Sequence, residues 1–291
     1  MNLDFIARPL GQFLHFIYNT MAFGNYGLAI IIFTLFIKLI LLPLTIKQYR
    51  STARMQEVQP MIQEIQKRYK NDKEKLNQEL LKVYQENKVN PAGGCLPVLL
   101  QMPILLSLYW VISKPLHYML GKTTEVVQQL YAAIPEEFPK IIGNQDITII
   151  NYFNTHKESL SAVADLLNPS ELINLNFLGL NLGLQPTFDT SKIAVLGYQF
   201  FGLLLIPVLA GLTTYISTKY SMSQTQQNAD NPMASSMTNS MTMVMPFMTA
   251  FFAFNVPAGL GIYWITSNVI QVLQQMYLNK FILKKKEAGQ K

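Results

Sequence analysis

With a single cysteine, Cys95, in 291 residues, the chain cannot close an internal disulfide, and one thiol argues against redox chemistry or a Cys-based metal site. Charge is also scarce, at 14% of residues. Asp and Glu are missing altogether from the long apolar stretches, so nothing inside those stretches can neutralise a buried cation. There is no phosphate loop of the G-x-x-x-x-G-K-[ST] type, which argues against ATP hydrolysis by this chain. The three histidines, His15, His117 and His156, fall outside the apolar stretches, and none sits in an H-E-x-x-H pair. An intramembrane protease needs a metal site, paired aspartates or a serine with a base inside the bilayer, and the stretches offer no such set. No catalytic residue, cofactor or metal ligand is therefore assigned.

What the chain has in abundance is apolar residues, half of the total, gathered in blocks rather than spread in a short period. That is membrane composition. A helix needs about 20 mainly apolar residues to cross roughly 30 Å of hydrocarbon. Five stretches qualify: Gly27 to Thr45, Cys95 to Ile112, Ile193 to Ile216, Met237 to Phe254 and Ala258 to Leu278. An odd number of spans puts the termini on opposite sides, and Lys/Arg bias chooses the orientation. Ten Lys/Arg lie between Ile46 and Gly94 and five follow Leu278, whereas Ser113 to Lys192 holds five Lys against eight Asp/Glu. The expected arrangement is a multi-pass membrane protein with its N-terminus outside and its C-terminus cytoplasmic. The net +6 charge then reflects topology rather than binding of a specific nucleic acid.

The expected units follow from this. Residues 1–24 form an external amphipathic helix lying in the interface, with no signal peptide pattern. Spans occupy 25–48, 91–112, 193–216, 237–255 and 257–279. A cytoplasmic helical hairpin fills 49–90, an extracytoplasmic loop 113–192, a mobile cytoplasmic loop 217–236 and a basic tail 280–291. The hairpin is read from Met55, Val58, Met61, Ile62, Ile65 and Tyr69, then Leu76, Leu80, Val83 and Tyr84, at spacings of three and four, with Asn71-Asp72 as the turn. A solvated spacer would look the same. In the 113–192 loop, helical fragments are expected around Thr124 to Ala132 and Lys157 to Leu167, and the apolar run Leu172 to Leu180 is expected to rest on the membrane surface. Pro43, Pro97, Pro103, Pro207, Pro246 and Pro257 should bend the bundle, because proline removes a backbone hydrogen bond.

Lys38 is the residue that composition makes conspicuous. A cation at mid-bilayer costs roughly 2.5 to 3.5 kcal/mol on insertion scales, so such residues face protein interior or water. Lacking an internal counter-ion, it either snorkels to the headgroups or lines a wet cavity that something anionic enters. Thr34, four residues earlier, shares its helix face. Gln101 lies in mid-span, and Tyr263, Ser267, Gln271 and Gln274 form one stripe on the last span. These groups serve as interhelical glue or line a cavity. The late methionines, Met222 to Met248, either fill gaps or accept varied apolar partners.

Asn90-Pro91-Ala92-Gly93-Gly94-Cys95-Leu96-Pro97 and Gln101-Met102-Pro103-Ile104, with Pro43-Leu44-Thr45, Met55, Gln59-Pro60, Pro257-Ala258-Gly259-Leu260, Tyr263-Trp264 and Ser267-Asn268, carry a resemblance to the YidC-type membrane-protein insertases, which have mitochondrial and chloroplast relatives. The resemblance covers most of the chain outside the N-terminal helix and the outer loop, and is closest to the short bacterial form. It implies an all-α fold of five transmembrane helices around a hydrophilic groove, closed towards the outside. Lys38 stands where the family usually has arginine, which keeps the charge without bidentate geometry. Thr34, Gln101, Tyr263 and Ser267 match groove positions of the family, and Trp264 and Gln271 are expected to line the same groove. The implied partners are nascent membrane proteins and the lipid bilayer, with the Sec translocon, signal recognition particle machinery and ribosome as further candidates. A small transporter or channel is the alternative, and would show internal repeats and coupled carboxylates in the spans.

Overall fold

The computed structural model describes residues 4–89, 96–139, 141, 144–190, 193–223 and 232–280. Helices dominate: α1 (Asp4–Thr20), α2 (Tyr26–Ile40), α3 (Leu42–Arg68), α4 (Lys73–Glu86), α5 (Leu96–Ser113), α6 (Pro115–Tyr118), α7 (Thr124–Ala132), α8 (Gln145–Thr155), α9 (Ile193–Leu196), α10 (Tyr198–Ser223), α11 (Pro232–Phe254) and α12 (Ala258–Leu278). The only strands among the described residues, β1 (Asn176–Phe177) and β2 (Leu180–Asn181), pair antiparallel with Asn176 opposite Asn181.

By length and apolar composition, one described helix suffices to cross a membrane, over Tyr198–Ser221; α2 and α3 qualify together as a pair bent by 59°. Gln101–Ser113 and Thr242–Phe254 are shorter apolar helices. The 25–48 unit expected from the sequence is thus broken at Leu41. Pro43 sits in the first turn of α3, where its missing N–H and its restriction of the preceding residue make a helix start, not a helix middle. The break moves Lys38 into the last turn of α2, where exposed backbone carbonyls favour a cation.

Beyond the break, α3 runs through residue 48 into the charged hairpin as one helix. Asp72 caps α4 by accepting from the Lys75 amide at 3.0 Å. Val58, Ile62, Val83 and Val89 form a small separate core, flanked by Met55, Ile65, Leu80 and Tyr84. Met61, expected on that apolar face, is exposed instead.

The 217–236 segment, expected as a loop, is helical at both ends. α10 runs on to Ser223 and α11 starts at Pro232, leaving 224–231 outside the described residues. This last part of α10 is bonded to the end of α12: Gln275 on α12 donates to the Ser221 hydroxyl at 2.6 Å and Asn279 to the Tyr220 hydroxyl at 3.5 Å. Pro at the first helical position costs nothing, because that N–H has no intrahelical partner.

The segment between α5 and α9 is a folded unit rather than a loop. Ile147, Ile149, Ile150 and Phe153 of α8 are fully or almost fully buried, with Leu116, Leu130, Ile173 and Leu175 in the same core. Asn144 caps α8 through the Ile147 amide. The 157–163 fragment is a 3-10 helix, and the 172–180 run buries Ile173 and Leu175 before turning into the β-hairpin. This unit is tied to α1: the Tyr118 hydroxyl donates to Asp4 at 2.8 Å, and the Asn174 amide donates to the Tyr18 hydroxyl at 2.9 Å. α1 itself buries Ala7, Leu14, Ile17 and Tyr18 against this core, α2 and α5, so one face is committed to protein.

Candidate functional site

α12 lies between α2 and α5 on one side and α10 on the other. Its stripe towards α2 and α5 begins with Tyr263 and Ser267, both buried. The Gln101 amide of α5 donates to the Tyr263 hydroxyl, and Ser267 bonds the same hydroxyl. Two turns further on, roughly 12 Å along the axis at 1.5 Å per residue, the Lys38 ammonium donates to the Gln271 side-chain oxygen at 3.4 Å. Gln274 donates to the Lys38 carbonyl at 3.3 Å, one of the carbonyls that a helix end leaves without an intrahelical partner.

The structure therefore brings Lys38, Gln101, Tyr263, Ser267 and Gln271 to one side of α12. Thr34 is buried, and its hydroxyl is taken by the Ile30 carbonyl of its own helix at 2.6 Å, so it does not join the hydrogen-bonded set. Trp264 packs half-buried against the apolar core. The Asn90 to Cys95 part of the motif and the tail from 281 onward lie outside the described residues.

Electrostatically the site is one-sided. Ion pairs among the described residues include Arg68–Glu64, Lys82–Glu79 and Lys122–Glu171, and among these residues Lys38 has no carboxylate partner. An amide oxygen at 3.4 Å is a weak, neutral acceptor for a group with three donors. No group of three or more His, Cys, Asp or Glu that could hold a metal occurs among the described residues.

A second polar row on α12, of which the sequence motifs name only Asn268, faces α10. The Asn268 amide donates to the Thr214 hydroxyl at 2.8 Å and to that of Thr213 at 3.3 Å, followed by the Gln275–Ser221 and Asn279–Tyr220 bonds. Its signal was present: positions 268, 275 and 279 repeat at seven and four, one helix face.

Away from the bundle, Asp146 is buried at the start of α8, accepting from the His117 amide at 3.2 Å. Burial pushes its carboxyl up from 3.8 to about 6, against the pull of the His117 and Leu116 backbone N–H groups. Burial would raise Glu171 too, but the hydrogen bonds from Lys122 and the Asn168 amide hold it below the usual carboxylate value.

Polar side chains gathered between apolar helices, with an uncompensated lysine among them, make a helical bundle whose interior is not purely apolar. The sequence profile of the 60Kd inner membrane protein family matches residues 16–286, and the chain belongs to that family. It is 33% identical over 266 residues to a protein of Oceanobacillus iheyensis named membrane protein insertase YidC, covering 90% of this chain and 77% of that one. Another of the same name, from Caldanaerobacter subterraneus, is 34% identical over 270 residues, covering 93% and 92%. In Geobacter metallireducens the protein of that name is longer: 29% identity over 277 residues covers 95% of this chain and 37% of it.

Proposed function

We propose that this protein is a membrane-protein insertase and chaperone, guiding nascent membrane proteins from the cytoplasm into the bilayer through a positively charged groove lined by α2, α5 and α12. Its relatives' names support the activity, and the observation that carries the mechanism is Lys38, which has no carboxylate partner among the described residues and only a neutral amide within reach. Five spans surround the groove, with the N-terminus outside, the α3–α4 hairpin and the C-terminal tail in the cytoplasm, and the 113–192 unit outside.

In this reading the incoming chain meets the hairpin, and its acidic or polar end moves towards Lys38. Its apolar segment slides along the rim of α2, α5 and α12. Attraction to the ammonium offsets part of the cost of taking an acidic end out of water. Burial of the substrate's apolar segment supplies the driving force, at roughly 25 cal/mol per Å², and the membrane potential draws an acidic tail outwards. Gln271 and Gln274 hold the lysine and the α2 terminus in place, and the Gln101–Tyr263–Ser267 group keeps the deeper part polar. No covalent step is required. The protein acts alone or beside a Sec translocon, with signal recognition particle machinery and the ribosome as delivering partners.

The test is insertion of a short single-span protein with an acidic outer tail into liposomes holding only this protein, read by protease protection. Wild type and Lys38→Arg should insert, and Lys38→Ala should fail with folding intact. Equal insertion by all three would remove the charge from the mechanism, and insertion by none would remove the stand-alone activity.

A further inference from the structure

Three non-glycine residues among the described ones hold a positive φ: Phe23 at 51°, Lys88 at 52° and Leu178 at 51°. For an L-residue with a bulky side chain this left-handed conformation crowds Cβ against the following carbonyl. Phe23 and Leu178 are also the two most exposed large apolar residues described, at 89% and 84%. Within the chain each is thus doubly unfavourable, strained in backbone and unburied in side chain. Asparagine or glycine would take both positions with less strain. Leu178 and Gly179 form the two-residue turn between β1 and β2, with both φ values positive, the geometry for which Asn-Gly is the preferred pair.

Their placement identifies what rewards them. The β-hairpin is clamped to the N-terminal ends of two apolar helices. The Phe177 ring occupies the space a side chain at Gly27 of α2 would fill, and Leu180 does the same at Gly202 of α10. The Tyr198 hydroxyl, in the first turn of α10, donates to the Gly179 carbonyl at 3.0 Å. From there the exposed apolar face of α10 runs on through Phe201, Leu205, Leu212 and Ile216, so Leu178 caps that face. Phe23 projects three residues before α2. Along the chain neither tip has a charged neighbour: no Asp, Glu, Lys or Arg occurs from 9 to 37 or from 172 to 188. Asparagines at 19, 25, 174, 176 and 181 flank them. Apolar tips on a polar, uncharged base suit the headgroup–acyl boundary of a bilayer.

We propose that the Leu178 and Phe23 turns are lipid-inserted tips that seat the 113–192 unit on the outer leaflet and fix its height against the ends of α2 and α10. This rests on the reading that α10 spans the bilayer and that the unit lies outside.

The test uses Cys95→Ser as background, with single cysteines introduced as Leu178→Cys, Phe23→Cys, Leu205→Cys on the α10 face and Lys157→Cys on the exposed surface of the unit. Each carries an environment-sensitive fluorophore in liposomes and is exposed to aqueous iodide and to lipids bearing a nitroxide near the headgroup or deep in the chain. Probes at 178 and 23 should be quenched roughly threefold more by the shallow nitroxide than the probe at 157, and resist iodide. Quenching of the 178 probe by iodide alone, with the 205 probe quenched by the deep nitroxide, overturns the proposal and leaves the span intact. Shielding of 178 from both quenchers also overturns it, because a second copy then covers the tip. Failure of the deep nitroxide at 205 shows instead that the spanning arrangement is wrong.

Discussion

On the side of α12 that faces α2 and α5, the polar row ends at a lysine whose described neighbours are the Gln271 oxygen at 3.4 Å and the Gln274 amide on its carbonyl at 3.3 Å. On the side that faces α10, Asn268, Gln275 and Asn279 meet the hydroxyls of Thr213, Thr214, Ser221 and Tyr220 at 2.6 to 3.5 Å. Both rows place polar atoms between apolar helices. On the α10 side uncharged amide donors meet uncharged hydroxyls across the interface, which holds two helices together and leaves no net charge, with the Gln275 and Asn279 side-chain oxygens buried without a hydrogen-bond partner among the described residues. The α2 side leaves a whole charge facing a dipole. One face joins two helices, and the other carries a cation that the described residues do not neutralise.

The comparison breaks most sharply at the charge. Lys38→Glu turns attraction for an acidic tail into repulsion, and a charge pair at 4 Å is worth roughly 4 kcal/mol at an effective dielectric of 20. Insertion of an acidic-tailed substrate should fall at least tenfold, by roughly the 1.4 kcal/mol per decade that defines that ratio, while a substrate with a neutral tail loses less. Next comes Gln271→Glu, which supplies the carboxylate that Lys38 lacks. Thermal stability in detergent should hold or rise, while insertion of the acidic-tailed substrate drops towards that of Lys38→Ala. A variant that inserts normally would show that the free cation is not what the substrate meets.

The α10 side should answer in the opposite sense. Asn268→Leu removes two interhelical bonds, each worth about 0.6 kcal/mol on average in membrane bundles, so melting should shift down by a few degrees with insertion per folded molecule unchanged. Loss of insertion without loss of stability would erase the distinction between the two faces. The smallest effect lies outside the bundle. Because burial raises the Asp146 carboxyl to about 6, the folded unit holds that proton more tightly than the unfolded chain. Its contribution favours folding below about pH 4 and is lost as pH rises through about 6. Asp146→Asn should flatten this part of the pH profile of α8 amide-exchange protection relative to wild type.

Much of the α2 side was legible in the sequence, because an acid-free set of apolar stretches makes Lys38 conspicuous and a stripe at 263, 267, 271 and 274 needs only helical periodicity. Thr34 shows what periodicity leaves open. A hydroxyl four residues from Lys38 shares its face, yet the Ile30 carbonyl of the same helix satisfies it. The α10-facing row was equally periodic and went unread, since Thr213 and Thr214 are separated from Asn268 by more than fifty residues. The 113–192 unit was the least legible. α8 buries residues on nearly all sides, so it lacks the polar face that marks an amphipathic helix.

The sequence by itself determined the class of protein, the apolar segments, the scarcity of acidic groups within them and the two-run hairpin, because composition and short-range periodicity depend only on neighbours along the chain. Only the tertiary structure decided that the first apolar stretch breaks at Leu41, that Lys38 meets Gln271 across 233 positions of sequence, and that the unit between α5 and α9 packs on α1. Those outcomes depend on which helix faces approach, and so on side-chain volume and hydrogen-bond geometry between residues that no local pattern connects.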